Sequence, residues 1–117
     1  MVNKARVQKL VKILKSGKYK QGRSALRPKE DKFCCLGVAC DVYAKETGES
    51  LWTVNRTQSL WEEGKYRFAR ARTMLPTKVA KYFGISKRRQ LNLAEMNDDG
   101  QSFKKIADYM EKNLLTK

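Results

Sequence analysis

Cys34, Cys35 and Cys40 come first, because a thiolate is both a nucleophile and a metal ligand. A catalytic cysteine needs a neighbouring base or cation, and the chain has no histidine to act as that base. The spacing C-C-x4-C is not a zinc pattern, and an odd number of cysteines is no disulfide framework. We read the three as small apolar residues packed in a reduced protein. The second candidate is Glu95-Met96-Asn97-Asp98-Asp99-Gly100. Its glycine is placed as in a calcium loop, but the twelfth position, which needs Glu, is Ile106. Asp98 and Asp99 can hold a magnesium ion in a nuclease-type site. A turn ahead of a capped helix suffices to explain them. We therefore expect no enzyme and no cofactor.

The charge is more informative. Lys and Arg total 26 against 12 acidic residues, a net charge of +14. Such an excess weakens the compact state by self-repulsion, and a polyanion is its usual partner. It is uneven along the chain: net +9 over residues 1–32, −3 over 33–64, +9 over 65–92 and −1 over 93–117. Whether the two basic segments meet is not decided by sequence. Their cations are the candidate nucleic-acid contacts: Lys18, Lys20, Arg23 and Arg27 in the first segment, and Lys65, Arg67, Arg70, Arg72, Lys87, Arg88 and Arg89 in the second. Arg forks pair with phosphate bidentately. If residues 65–68 form a strand, Lys65 and Arg67 share one face, with Tyr66 and Phe68 on the other. That favours phosphate contact over base stacking. The competing reading is a basic edge strand whose cations deter pairing.

Elements must position these side chains. Val7, Leu10, Val11 and Leu14 mark an amphipathic helix over 4–16, stopped at Gly17. Gly17, Gly22 and Pro28 argue against a regular element in 17–32. Residues 33–46 read as a central helix, apolar around most of its circumference. Gly37 within it implies a close neighbour. Residues 50–73 are irregular with one small hairpin. Leu75-Pro76 opens a helix with Pro at the first helical position, which runs to Gly84. A short helix over Leu91–Met96, a turn over 97–100 and a last helix capped by Ser102 follow. Ser102 to Tyr109 looks like the first helix of a helix-turn-helix, but too little chain follows for a second. The expected fold is mainly α, four to five helices with a small hairpin, in a single compact α+β domain. No apolar run of 18 residues exists, and Lys9, Lys12 and Lys15 interrupt the only signal-like stretch. We expect no membrane partner and a cytoplasmic location. The oligomeric state is not read from the sequence.

Several motifs together resemble an uncharacterised family of small bacteriophage and prophage proteins. They are Ser16-Gly17-Lys18-Tyr19-Lys20-Gln21-Gly22, Cys34-Cys35-Leu36-Gly37-Val38-Ala39-Cys40-Asp41, Leu75-Pro76, and Met96-Asn97-Asp98-x-Gly100-x-Ser102-Phe103. The resemblance carries no activity and no catalytic residue. It implies a phage-encoded accessory protein acting inside a bacterial host. The function expected is binding of DNA or RNA through phosphate contacts with little sequence specificity. The alternative is a non-enzymatic inhibitor or adaptor whose basic face meets an acidic host or defence protein.

Overall fold

A computed structural model describes residues 2–54, 66–69, 71 and 73–115. Among them are five α-helices and two sheets of two strands each, a small α+β domain. Helix α1 (Lys4–Lys15) starts where Asn3 Oδ1 accepts from Arg6 N at 3.1 Å. It buries Val7, Leu10, Val11 and Leu14, the stripe its spacing predicts. Each contributes about 1.5–3 kcal/mol. That face meets α2 (Cys35–Thr47), α3 (Thr77–Phe83) and α5 (Phe103–Met110).

Helix α2 is the centre. It lies against α1, α3, α4 (Lys87–Asp98) and strand β2 (Lys32–Phe33). The close neighbour expected at Gly37 is the Leu26 carbonyl. The helix starts two residues later than expected, because Phe33 joins β2 and Cys34 becomes the cap. The Cys34 Sγ accepts from Gly37 N at 3.3 Å.

Residues 17–32 do contain a regular element. Strand β1 (Lys20–Gln21) pairs in parallel with β2. The intervening loop returns through Leu26, whose carbonyl accepts from Cys34 N at 3.0 Å. The second sheet is the expected hairpin-type pair. Strand β3 (Trp52–Val54) runs antiparallel to β4 (Tyr66–Phe68). As the alternation implies, Phe68 is fully buried. Lys65, Arg70 and Arg72 lie outside the described residues.

Three other boundaries move. Pro76 sits at the cap of α3 and not at its first helical position. Helix α4 begins at Lys87, four residues before the expected Leu91, because Ser86 Oγ accepts from Arg89 N at 3.3 Å and caps it there. The run Lys87-Arg88-Arg89 is therefore helical. Asn97 and Asp98 form the last turn of α4, so the turn begins at Asp99. Ser102 caps α5 as expected, and α5 continues as a π-helical turn over Glu111–Leu115.

An aromatic chain joins the two ends of the fold. Tyr19, Phe33, Trp52, Phe68, Tyr43, Tyr82 and Phe83 meet edge to face in succession, with centroids 4.8–6.1 Å apart. Such pairs add about 0.5–1.5 kcal/mol beyond their burial.

Candidate nucleic-acid interface

The basic loop is positioned by the β1–β2 pair. Its register sets Lys20 opposite Lys32, and a further bridge sets Lys29 opposite Lys32. Three exposed lysines thus stand on adjoining backbones. Facing like charges are destabilising. Asp31 reaches Lys20 at 3.6 Å, an exposed contact of small worth. No carboxylate among the described residues pairs with Lys29 or Lys32. The sequence alone does not single out Lys29 and Lys32, because only the register reveals them as neighbours of Lys20. Lys18 and Arg23 are exposed on the same loop, and the Arg23 guanidinium lies beside Gly100.

Arg27 has a different role. Its Nε and Nη2 donate to the Glu30 carbonyl at 2.9 and 2.7 Å. The guanidinium stands 4.7, 5.2 and 4.3 Å from the rings of Phe33, Trp52 and Tyr66. The Arg27 carbonyl accepts from Tyr66 N at 2.9 Å. The structure commits this arginine to holding the loop against β4, by cation–π attraction and a backbone bond. The two basic segments therefore meet here, with Arg67 half-buried on β4.

The second group lies elsewhere. Lys87, Arg88 and Arg89 occupy the first turn of α4, and Arg89 Nη1 donates to the Asn113 carbonyl at 2.7 Å. The last turn of α4 is the end that holds the basic loop. Twelve residues at about 1.5 Å each separate the two ends by about 18 Å. Among the described residues, the sequence-predicted cations thus divide between opposite ends of one helix. Of the two lysines near the second group, Lys78 pairs with Glu49 at 3.2 Å while Lys81 is exposed.

Three of the four motifs quoted above, all but Leu75-Pro76, meet at the loop end of α4. Asn97 is fully buried. Its Oδ1 accepts from Gln21 Nε2 at 2.9 Å and from Cys35 N at 3.2 Å, and its Nδ2 donates to the Gly22 carbonyl at 2.8 Å. Asp98 Oδ1 accepts from Ser24 N at 3.0 Å, so that carboxylate braces the loop. Asp41 plays the same part at the other side of α2. It accepts from Tyr19 Oη at 2.5 Å and Trp52 Nε1 at 3.0 Å, and lies 3.4 Å from Lys45. Both hubs escape inspection of single residues. The one signal for them is that polar residues recur beside apolar ones inside the motifs.

All three cysteines are free and buried. Burial pushes the Cys34 thiol up to about 11 and raises Cys35 and Cys40 well above the ordinary range. Buried neutral thiols are poor nucleophiles. In the folded protein at pH 8 we expect a disulfide reagent to label them only as fast as the chain opens, and all three at once in denaturant. A thiol labelled within seconds in native buffer contradicts this packing. Among the described residues no group of three or more Cys, Asp or Glu is placed to hold a metal ion. No helix among them is long and apolar enough to cross a membrane.

No curated protein and no solved structure matches the chain. A family model matches residues 2–114, nearly the full length, so the chain belongs to the family described as a domain of unknown function, DUF8296.

Proposed function

We propose that this protein is a phage-type accessory protein that binds nucleic acid through phosphate contacts with little sequence specificity, inside the host cytoplasm. The observation that carries the reading is the Lys20–Lys32–Lys29 cluster, three exposed lysines whose backbone positions are neighbours in register. An array like this is relieved by an anion with regularly spaced charges. Lys18 and Arg23 extend it along the loop. The Lys87–Arg89 turn gives a second contact area.

The test is a titration of labelled DNA and RNA between 50 and 200 mM salt. With about six phosphate contacts, affinity is expected to fall on the order of a thousandfold across that range. A protein that ignores both nucleic acids at 50 mM salt refutes the proposal. Co-purification of one acidic host protein that survives nuclease treatment would then favour the adaptor reading.

A further inference from the structure

We infer that α3, the turn Gly84-Ile85-Ser86 and α4 form a helix-turn-helix that inserts α4 into the major groove of B-form duplex DNA. This rests on the nucleic-acid reading and goes beyond it, because it names the form of nucleic acid and adds contacts to base edges.

The connection has the required lengths. A seven-residue helix ends at Gly84 in the left-handed conformation (φ 73°), three residues turn the chain, and a capped twelve-residue helix follows. Helix-turn-helix units use a turn of three to four residues that often contains glycine, and the second helix reads bases with its N-terminal residues. In the sequence only residues 102–109 look like part of such a motif. The early start of α4 supplies a complete unit at residues 77–98.

The unit is braced from behind. Val79, Phe83, Ile85 and Leu93 are buried in the core. Gln90, only 5% exposed, accepts from Leu75 N at 3.0 Å and donates to the Ile85 carbonyl at 3.1 Å. One side chain thereby ties the entry to α3, the turn and α4 together. Arg89 is held by the Asn113 carbonyl at 2.7 Å, which fixes α4 against the C-terminal turn.

The outer face of α4 is open. Lys87, Arg88, Leu91 and Asn92 are exposed at positions i, i+1, i+4 and i+5, one side of the helix. Leu91 is the large hydrophobic residue left exposed among the described residues, at 51%. Asn92 makes a long 3.5 Å contact with Tyr109 Oη and is otherwise presented outward. Glu95 shares this face but lies two turns from the N-terminus, beyond the half that enters a groove. An arginine matches guanine O6 and N7, an asparagine matches adenine N6 and N7, and an apolar side chain meets the thymine methyl.

Electrostatics favours an anionic occupant at the same place. The positive end of the α4 dipole carries three cations and no acidic residue in its first turn. Cations there oppose the dipole. Phosphates flanking a groove relieve that conflict, and Lys81 on α3 adds charge beside an open cleft of about 600 Å3 between α3 and α4. The B-form major groove is about 12 Å wide, the diameter of a helix with its side chains. The A-form major groove of duplex RNA is too narrow and deep for one.

The test compares a mixed-sequence DNA duplex with an RNA duplex of the same sequence, using the parent, an Arg88→Ala/Asn92→Ala variant and a Lys20→Gln/Lys29→Gln/Lys32→Gln variant. The inference predicts that the parent favours DNA by about tenfold or more. It predicts that Arg88→Ala/Asn92→Ala removes this preference, and that premethylating guanine N7 weakens parent binding. The lysine variant should weaken both duplexes together and keep the preference. Equal binding of DNA and RNA by the parent, unchanged by the α4 variant, overturns the inference and leaves the phosphate reading standing. Binding to neither duplex overturns both.

Discussion

Replacing Gly37 with alanine is expected to destabilise the protein by at least ~3 kcal/mol, against the usual direction for this exchange. In an open helix interior, Gly→Ala stabilises by about 1 kcal/mol. Here the added methyl would overlap the Leu26 carbonyl oxygen and stand 2.7 Å from its carbon. That carbonyl cannot swing aside without losing its bond from Cys34 N, and the Leu26 side chain is fully buried. Helix α2 would have to lift off the loop that carries Lys20, Arg23 and Arg27. Urea unfolding followed by circular dichroism reads the effect. With a slope of about 1–3 kcal/mol per molar, the midpoint should fall by about 1 M or more. A rise in the midpoint would show that α2 and the loop do not touch in this way.

The second large effect is expected at Asn97. Asn97→Ala removes three hydrogen bonds and leaves Cys35 N and the Gly22 carbonyl without them in the interior. Each buried unsatisfied group costs about 1–3 kcal/mol, so a loss of about 3–5 kcal/mol is expected. Cys35 N is one of the amides that the start of α2 cannot satisfy within the helix. Asn97 therefore caps α2 from the far end of α4, alongside the Cys34 thiol. A change below about 1 kcal/mol in the same unfolding measurement would contradict this role.

These residues also mark how far the sequence can be read. The α1 stripe, the encircling apolar pattern of α2 and the Ser102 cap are all legible, because each rests on spacing within one segment. So is the demand for a close neighbour at Gly37, though not the identity of Leu26. The start of α4 is hidden because Ser86-Lys87-Arg88-Arg89-Gln90 carries no apolar residue to show a helical period, while the Ser86 cap that makes it helical depends on a single side chain. The β1–β2 pair is hidden because two-residue strands have no periodicity. Its consequence, lysines 20, 29 and 32 side by side, is a matter of register across an intervening loop. Arg27 looks like a phosphate ligand by type, and only its aromatic surroundings reveal the clamp. In the sequence Asn97 looks like a turn residue and Asp98 like a metal ligand, and Asp41 is only the end of a motif. Their hydrogen-bond donors and acceptors lie 11 to 76 residues away in sequence, beyond any local pattern, and only the Asp41–Lys45 ion pair is local.

The functional residues follow the same division. The motifs singled out in the sequence build part of the scaffold: Gln21 and Gly22 meet Asn97, and Cys35 meets both Asn97 and Leu93. The cations around them are what that scaffold presents. Lys20 faces Lys32 because Gln21 and Phe33 are fixed next to them, so loss of the Asn97 hub should release the lysine cluster as well as α2.

The most direct test of the binding account is the slope of log affinity against log salt for a DNA duplex, in the parent and in Lys20→Gln/Lys29→Gln/Lys32→Gln. All three side chains are exposed, so the variant should keep its fold. Every phosphate that a lysine no longer neutralises should reduce the slope by about 0.9. We expect the variant to be shallower than the parent by about two to three such steps, with weaker binding at low salt. An unchanged slope in a folded variant would contradict the account, because the three lysines would then not touch phosphate.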